Sequence, residues 1–250
     1  MSFSFWQTIG WIWIVLAVVT FIALFFLKIT PPYGRHTKTI WGPMINNSLG
    51  WMIMEAPSLI ILCVTFTFYF NDATPKLAYL PMILWSIHYF NRSFIFPFRL
   101  KNKQQKMPLV ITGSSIFFNG INGYLNGLFL AMGWFFLSIP TIVIGSVVFL
   151  IGMYINMRSD NILIGLRKPG ETGYKIPKGF LFDKITAPNL FGEIIEWLGF
   201  FIVAPSTASL SFWLWTMANL VPRARDHHQW YKEKFNDYPK DRKVVFPGVF

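Results

Sequence analysis

The sequence predicts an all-α, polytopic membrane protein with about seven transmembrane helices, and three observations carry that prediction. Hydrophobic residues make up 54% of the 250-residue chain and charged residues only 13%, about half the charged share of soluble domains. Apolar runs of about 20 residues, the length that crosses a bilayer as a helix, recur from one end of the chain to the other. Basic residues gather in every second loop.

The runs lie near 5–27, 49–70, 78–98, 109–132, 137–157, 190–204 and 206–221. The first, Phe5 to Leu27, is too long for the apolar part of a cleavable signal and lacks a basic flank, so it reads as a spanning helix. The fourth is rich in small residues (Gly113, Ser114, Ser115, Gly120, Gly123, Gly127), which permit close helix approach and predict a place inside the bundle. Between the last two, Ala204-Pro205 marks either a tight turn or a kink in one long helix.

The loops test that count independently. Lys28, Arg35 and Lys38 precede the second run, and only Lys76 lies in the next loop. Arg99, Lys101, Lys103 and Lys106 follow, then a turn near 133–137 with no basic residue. Loop 158–189 carries Arg158, Arg167, Lys168, Lys175, Lys178 and Lys184, and the turn near 205 carries none. The tail holds Arg223, Arg225, Lys232, Lys234, Lys240, Arg242 and Lys243. The alternation puts the N-terminus outside and the C-terminus in the cytoplasm. Without repeats or a linker, residues 1–250 read as a single domain in the membrane.

A formal charge of +11 suits anionic lipid headgroups or a phosphorylated cofactor here, not nucleic acid. Cys63 is the only cysteine, which excludes an intramolecular disulfide and suggests an inert thiol. No Gly-x-Gly-x-x-Gly follows a strand, so a Rossmann domain is not expected. No metal is expected either, because His227 and His228 are adjacent and cannot both face one ion from a regular helix.

Charge inside hydrocarbon costs roughly 2.5–3.5 kcal/mol per residue on insertion scales, so each case needs a reason. Glu55 falls in the second run, His88, Tyr89 and Arg92 in the third, and Glu193 and Glu196 at the start of the sixth. His88 and Arg92 are four apart and share a helix face. One reading makes Glu55 and Arg92 a structural ion pair. The other makes these residues a ligand pocket in which Glu55, as the neutral acid, donates a hydrogen bond. Segment 156–197 is crowded with basic, carboxamide and aromatic groups, which suit phosphate, ribose and base respectively.

Together these motifs resemble the steroid 5α-reductase family. The likeness is dense in Leu166-Arg-Lys-Pro-Gly-Glu171, in Asn189-x-x-Gly-Glu-Ile-Ile-Glu-Trp197 and in Lys234-Phe-x-Asp-Tyr-Pro-Lys-x-Arg-Lys243. Upstream it takes in Tyr33-Gly-Arg-His-Thr37, Glu55-x-Pro-Ser58 and His88-Tyr-Phe-x-Arg92, so it spans nearly the whole chain in order. The resemblance implies a seven-helix enzyme that uses NADPH to reduce the C4=C5 bond of a lipophilic 3-oxo-Δ4 steroid, with membrane lipid around it and no obligatory protein partner. It implies that Glu55 and Tyr89 polarise the substrate carbonyl. It also implies that Asn156, Asp160, Arg167, Tyr174, Asn189, Glu193, His227 and Tyr231 surround NADPH, with Arg35 and Lys103 as further phosphate ligands. The chain departs from the family pattern at Met54 and Thr112, where some members carry glutamine and arginine.

Three other functions share parts of this pattern. An enoyl- or polyprenol-type lipid reductase would need the same cofactor residues. An isoprenylcysteine-type methyltransferase expects Arg-His-Pro where this chain has Arg167-Lys-Pro169. A lipid-binding or transport bundle leaves the crowded 156–197 segment unexplained.

Overall fold

Residues 2–250, apart from 31, 33, 38, 103, 169, 170 and 172, are described by a computed structural model. The chain is helical almost throughout: α1 (Phe3–Phe26), α2 (Asn47–Tyr69), α3 (Tyr79–Phe90), α4 (Phe96–Arg99), α5 (Leu109–Ala131), α6 (Ile139–Gly165), α7 (Pro188–Val203) and α8 (Thr207–Lys234). One departure from an all-α chain is a short antiparallel ribbon of β1 (Met44–Asn46) and β2 (Lys106–Pro108), in register Ile45 to Met107. It ties together the chain entering α2 and the chain entering α5.

Helices α1, α2 and α6 are long and apolar enough to cross a membrane. Helix α1 leaves Trp11, Val15, Val19 and Ile22 exposed, as a helix facing hydrocarbon does.

The third run is α3 and α4 joined by a π-helical turn, Asn91–Ile95, that carries Arg92. Such turns widen a helix locally and often mark functional sites. The fifth and seventh runs continue as helix for about two turns or more past their apolar ends, to Gly165 and Lys234. Hydropathy locates the hydrocarbon boundary, not the helix end, so those extensions were invisible to it. At Pro205 the chain turns: Ser206 and Ser209 form a reciprocal capping box that starts α8 afresh.

Three helix pairings set the architecture. Helix α1 runs parallel to α8, with Gly10 against Thr207 and the Trp215 indole donating to Trp13 O at 3.0 Å. Helix α2 runs parallel to α5, where Gly123 and Gly127 face the backbone of Ser58 and Leu62. These two glycines behave as expected for the fourth run, whereas Gly113 faces open space. The closest approach is elsewhere, between antiparallel α6 and α7. Gly145 and Gly152 of α6 meet Gly199 and Gly192 of α7 backbone to backbone, and a Cβ on any of the four would collide with the other helix.

Turns poor in basic residues meet at one end of the bundle. Phe136 N donates to Pro205 O at 2.9 Å, and Thr74 Oγ1 donates to Ala131 O at 2.6 Å. Trp85, Trp197, Phe200 and Phe212 form the aromatic core in mid-bundle. At the other end the tail folds back: Arg242 is buried and donates to Pro177 O, while the Thr186 hydroxyl shares hydrogen bonds with His228 and Tyr238. This part of the basic tail is packed structure, not a lipid-facing surface.

Candidate active site

The α6–α7 glycine contact brings two polar helix faces within hydrogen-bonding distance. Asn156 of α6 donates to Asn189 O at 3.0 Å and to Glu193 Oε2 at 3.4 Å. Asn189 Nδ2 in turn donates to Asp160 Oδ1 at 3.1 Å. Asp160 also accepts from Arg92 Nη1 at 3.3 Å, with both side chains nearly buried. Arg92 thus pairs with Asp160, and not with Glu55 as one of the two sequence readings had it. The π-helical turn carries Arg92 toward α6, and its guanidinium lies 4.7 Å from the Trp51 ring and 4.6 Å from the Phe96 ring.

Two cavities flank this ladder. The first is basic and aromatic, and its walls include Arg35, Asp160, Arg167, Tyr174, Asn189, His227 and Tyr231. These seven residues come from four separate stretches of chain, and the sequence reading grouped all of them. Arg35 sits on a 3₁₀ turn, Gly34–His36, with its guanidinium carbon 4.5 Å from the Tyr231 ring centre and 5.0 Å from that of Trp230. Arg167 lies 4.4 Å from the Tyr174 ring centre and donates from Nε to Gly173 O at 2.9 Å. His227 and His36 stack and share a hydrogen bond of 3.1 Å. Burial, and next the positive charges of Arg35, Arg223 and His36, hold the His227 pKa well below the usual histidine value.

The second cavity, about 330 Å³, contains Glu55, Tyr89, Arg92 and Glu193, and its volume suits a small-molecule ligand. Arg223 adds a further charge, and the rest of the walls is mainly apolar, aromatic and weakly polar, with Phe118, Trp197, Phe212, Ser115, Asn119 and Thr216. Tyr89 packs between Trp85 and Trp197, at ring distances of 5.1 and 5.7 Å. The helix face that meets the cavity holds Tyr89 and Arg92, three residues apart. His88 turns instead toward α7, where its Nδ1 and Oε1 of the buried Glu196 share a hydrogen bond of 2.8 Å. Met54 lines this cavity, whereas Thr112 is buried beside Met107 and lines neither.

Among the sequence-named residues, Asn156 lies behind the walls as a brace for Asn189 and Glu193, and Lys103 falls outside the described residues. Two residues that line both cavities were not singled out as site residues. Trp51 and Arg223 line both cavities, so the two spaces adjoin. Spacing held the signal for each. Trp51 is four residues before Glu55, and Arg223, His227 and Tyr231 follow at intervals of four along one face of α8.

Fold and site together define a helical, membrane-associated protein with a basic, aromatic cavity abutting a second cavity that holds a carboxyl and a phenol. Residues 105–250 match the family model for 3-oxo-5-alpha-steroid 4-dehydrogenase. The chain is 39% identical to steroid 5-alpha-reductase DET2 of Gossypium hirsutum, covering 94% of each chain. It is also 39% identical to 3-oxo-5-alpha-steroid 4-dehydrogenase 1 of Rattus norvegicus, covering 87% of this chain and 86% of the relative. For the human protein of that name the identity is 38%, over the same shares. The chain belongs to the steroid 5-alpha-reductase family.

Proposed function

We propose that this chain is a membrane-embedded, single-domain, NADPH-dependent reductase that saturates the C4=C5 bond of a 3-oxo-Δ4 steroid to give the 5α product. The observation that carries the proposal is the pair of adjoining cavities sharing Trp51 and Arg223. One suits a phosphorylated dinucleotide and the other a flat, apolar ligand with one polar end.

The residues present fit NADPH. Arg35 Nη1 is buried with no hydrogen-bond acceptor among the described residues, and Lys101, Arg167 and Lys175 add positive charge around the same cavity. An unmet buried guanidinium N–H favours an anionic partner. Arg35 and Arg167 would hold phosphate, Tyr174 and Tyr231 would offer ring faces, and Asp160, Asn189 and His227 would take hydroxyl and amide groups, with Lys103 a further phosphate ligand. NADPH supplies the hydride when bound.

In the second cavity Glu55, as the neutral acid, and Tyr89 donate hydrogen bonds to the C3 oxygen of the steroid. As C5 accepts the hydride, negative charge moves through C4 to that oxygen, where the two donors stabilise it. A proton reaching C4 then completes the product. The walls exclude water and hold the ring system in line, which converts binding energy into orientation.

The helix directions support seven spans, and the loop charges favour the N-terminus outside and the C-terminus in the cytoplasm. Alternate crossing requires the first and seventh spans to be parallel, the second and fourth parallel, and the fifth and sixth antiparallel. The pairings α1–α8, α2–α5 and α6–α7 meet all three conditions. Arg35, Lys101, Arg167 and His227, from the basic loops and tail, also gather at one cavity, which suits a cytoplasmic cofactor.

The test is NADPH oxidation by detergent-purified protein with testosterone, with the product identified by mass spectrometry. Formation of the 5α-reduced steroid is expected. NADPH binding without turnover of any 3-oxo-Δ4 steroid would move the substrate to an enoyl or polyprenol lipid. Failure to bind NADPH would overturn the proposal.

A further inference from the structure

On the outer side of the bundle, α2, α3 and α6 enclose a crevice of about 520 Å³ that shares no wall residue with either cavity above. Its walls are almost wholly apolar, formed by Leu59, Met82, Met153 and Met157 among others. At its rim Ile83, Ile87 and Phe90 are about half exposed, at 46%, 45% and 52%, so the opening faces the surroundings of the bundle and not its interior. Methionine walls adapt to ligands of irregular outline.

Two polar side chains line this crevice, Ser86 and Asn91. The Ser86 hydroxyl is committed to Met82 O at 2.8 Å. Asn91 is only 9% exposed, and among the described residues its Oδ1 has no hydrogen-bond partner. A buried carboxamide oxygen left unmet is costly, and hydrocarbon offers no water to meet it.

We infer that this crevice binds a membrane lipid carrying a single hydroxyl on an apolar body, with that hydroxyl donating to Asn91 Oδ1. The inference rests on the proposal that these helices sit in a bilayer, and not on the reductase activity. The chemistry of the walls selects this class. An acceptor needs a donor, so an ester or ketone carbonyl does not satisfy it. No charged side chain lines the crevice, so a phosphate or ammonium headgroup finds no counter-charge there. A sterol and a long-chain alcohol both meet the requirement. Asn91 opens the π-helical turn that also carries Arg92, so the occupant bears on one side of a turn whose other side lines the second cavity.

The test uses the full-length protein in phosphatidylcholine nanodiscs with a photoreactive, alkyne-tagged 3β-hydroxysterol, and maps labelled peptides by mass spectrometry. Labelling is expected within residues 82–95 and 153–157. It should fall about three- to tenfold in Asn91→Leu, the ratio that one neutral hydrogen bond carries, and similarly when the probe hydroxyl is a methyl ether. Ile87→Trp, which crowds the rim, should reduce labelling too and serves if Asn91→Leu does not fold. Displacement by cholesterol alone assigns the site to sterols, and displacement by octadecanol as well assigns it to hydroxylated lipids more broadly. Displacement by neither, equal labelling by hydroxyl and ether probes, or labelling confined to the second cavity would overturn the inference. NADPH binding, read in parallel, separates that outcome from failure of the reductase reading.

Discussion

Arg92 and Asp160 join the π-helical turn to α6 through a buried ion pair of 3.3 Å. Asp160 also accepts from Asn189, so one carboxylate links the wall of the second cavity to the wall of the first. Removing one partner of a buried pair leaves the other charge uncompensated, a loss of about 3–5 kcal/mol. Arg92→Leu should therefore lower the melting temperature in detergent sharply, while Asp160→Asn, which keeps a hydrogen-bonding side chain, should cost less. In a double-mutant cycle with Asp160→Leu, the paired replacement should cost less than the sum of the single ones. Strict additivity would mean that the pair does not hold the two elements together.

The glycine contact between α6 and α7 makes a sharper stability prediction. A methyl group at Gly152 or Gly192 meets backbone atoms of the opposite helix, which cannot rotate away. Each alanine replacement should cost about 1–3 kcal/mol through forced separation of the helices. Because Asn156 and Asn189 flank that contact, NADPH binding should weaken in parallel. Gly113→Ala, with open space around it, should be neutral or slightly stabilising by helix propensity. Thermal shifts of the three variants settle the contrast.

What the sequence made legible divides along the range of the signal. Helix positions were readable because apolar length and loop charge are local and additive. The π-helical turn was not, since nothing in Asn91-Arg-Ser-Phe-Ile95 distinguishes a wide turn from an ordinary one. Gly145, Gly152, Gly192 and Gly199 stand seven apart on each of two helices, but the pairing of those helices is a tertiary fact. The one ion-pair partner that the sequence reading offered Arg92 was Glu55, and it is the π-helical turn, not visible in the sequence, that carries Arg92 to Asp160. The residues that gather at the first cavity were named together because family motifs carry long-range information that spacing lacks.

Arg35 is the cation most committed to the first cavity. Its guanidinium is held among Tyr174, Trp230 and Tyr231, and Nη1 lacks an acceptor among the described residues. A hydrogen bond to a charged group contributes about 1.5–3 kcal/mol. Arg35→Leu should therefore raise the Kd for NADPH roughly ten- to hundredfold, measured by tryptophan fluorescence or calorimetry, with little change in melting temperature of the free protein. An unchanged Kd would remove Arg35 from the cofactor site.

His227 gives the ligand-free protein a pH dependence of defined sign. Its folded pKa lies well below the unfolded value of about 6.5, so between those two values the unfolded chain binds more protons. The stability it contributes is fully present above about pH 6.5 and is lost as pH falls. The melting temperature should thus drop between pH 7.5 and 5.5, and His227→Gln should flatten that slope. Arg35, Arg223 and His36 face the imidazole, so Arg35→Leu should flatten it in part. A slope that survives His227→Gln unchanged would assign the dependence to another group.

Tyr89 and Glu55 are the residues whose removal should separate chemistry from binding. Tyr89→Phe keeps the ring packed between Trp85 and Trp197 and deletes only the hydroxyl. Loss of one donor to a developing oxyanion lowers kcat by about two to three orders of magnitude. With testosterone as substrate, kcat for Tyr89→Phe should fall by that amount while KM and NADPH affinity change little. Glu55→Gln should also lose turnover with NADPH binding intact, because Glu55 lines the second cavity and not the first. If Tyr89→Phe instead raises KM and leaves kcat alone, the hydroxyl binds ground and transition states equally. The charge-stabilising role would then fall to Glu55 or to Arg92, which line the same cavity.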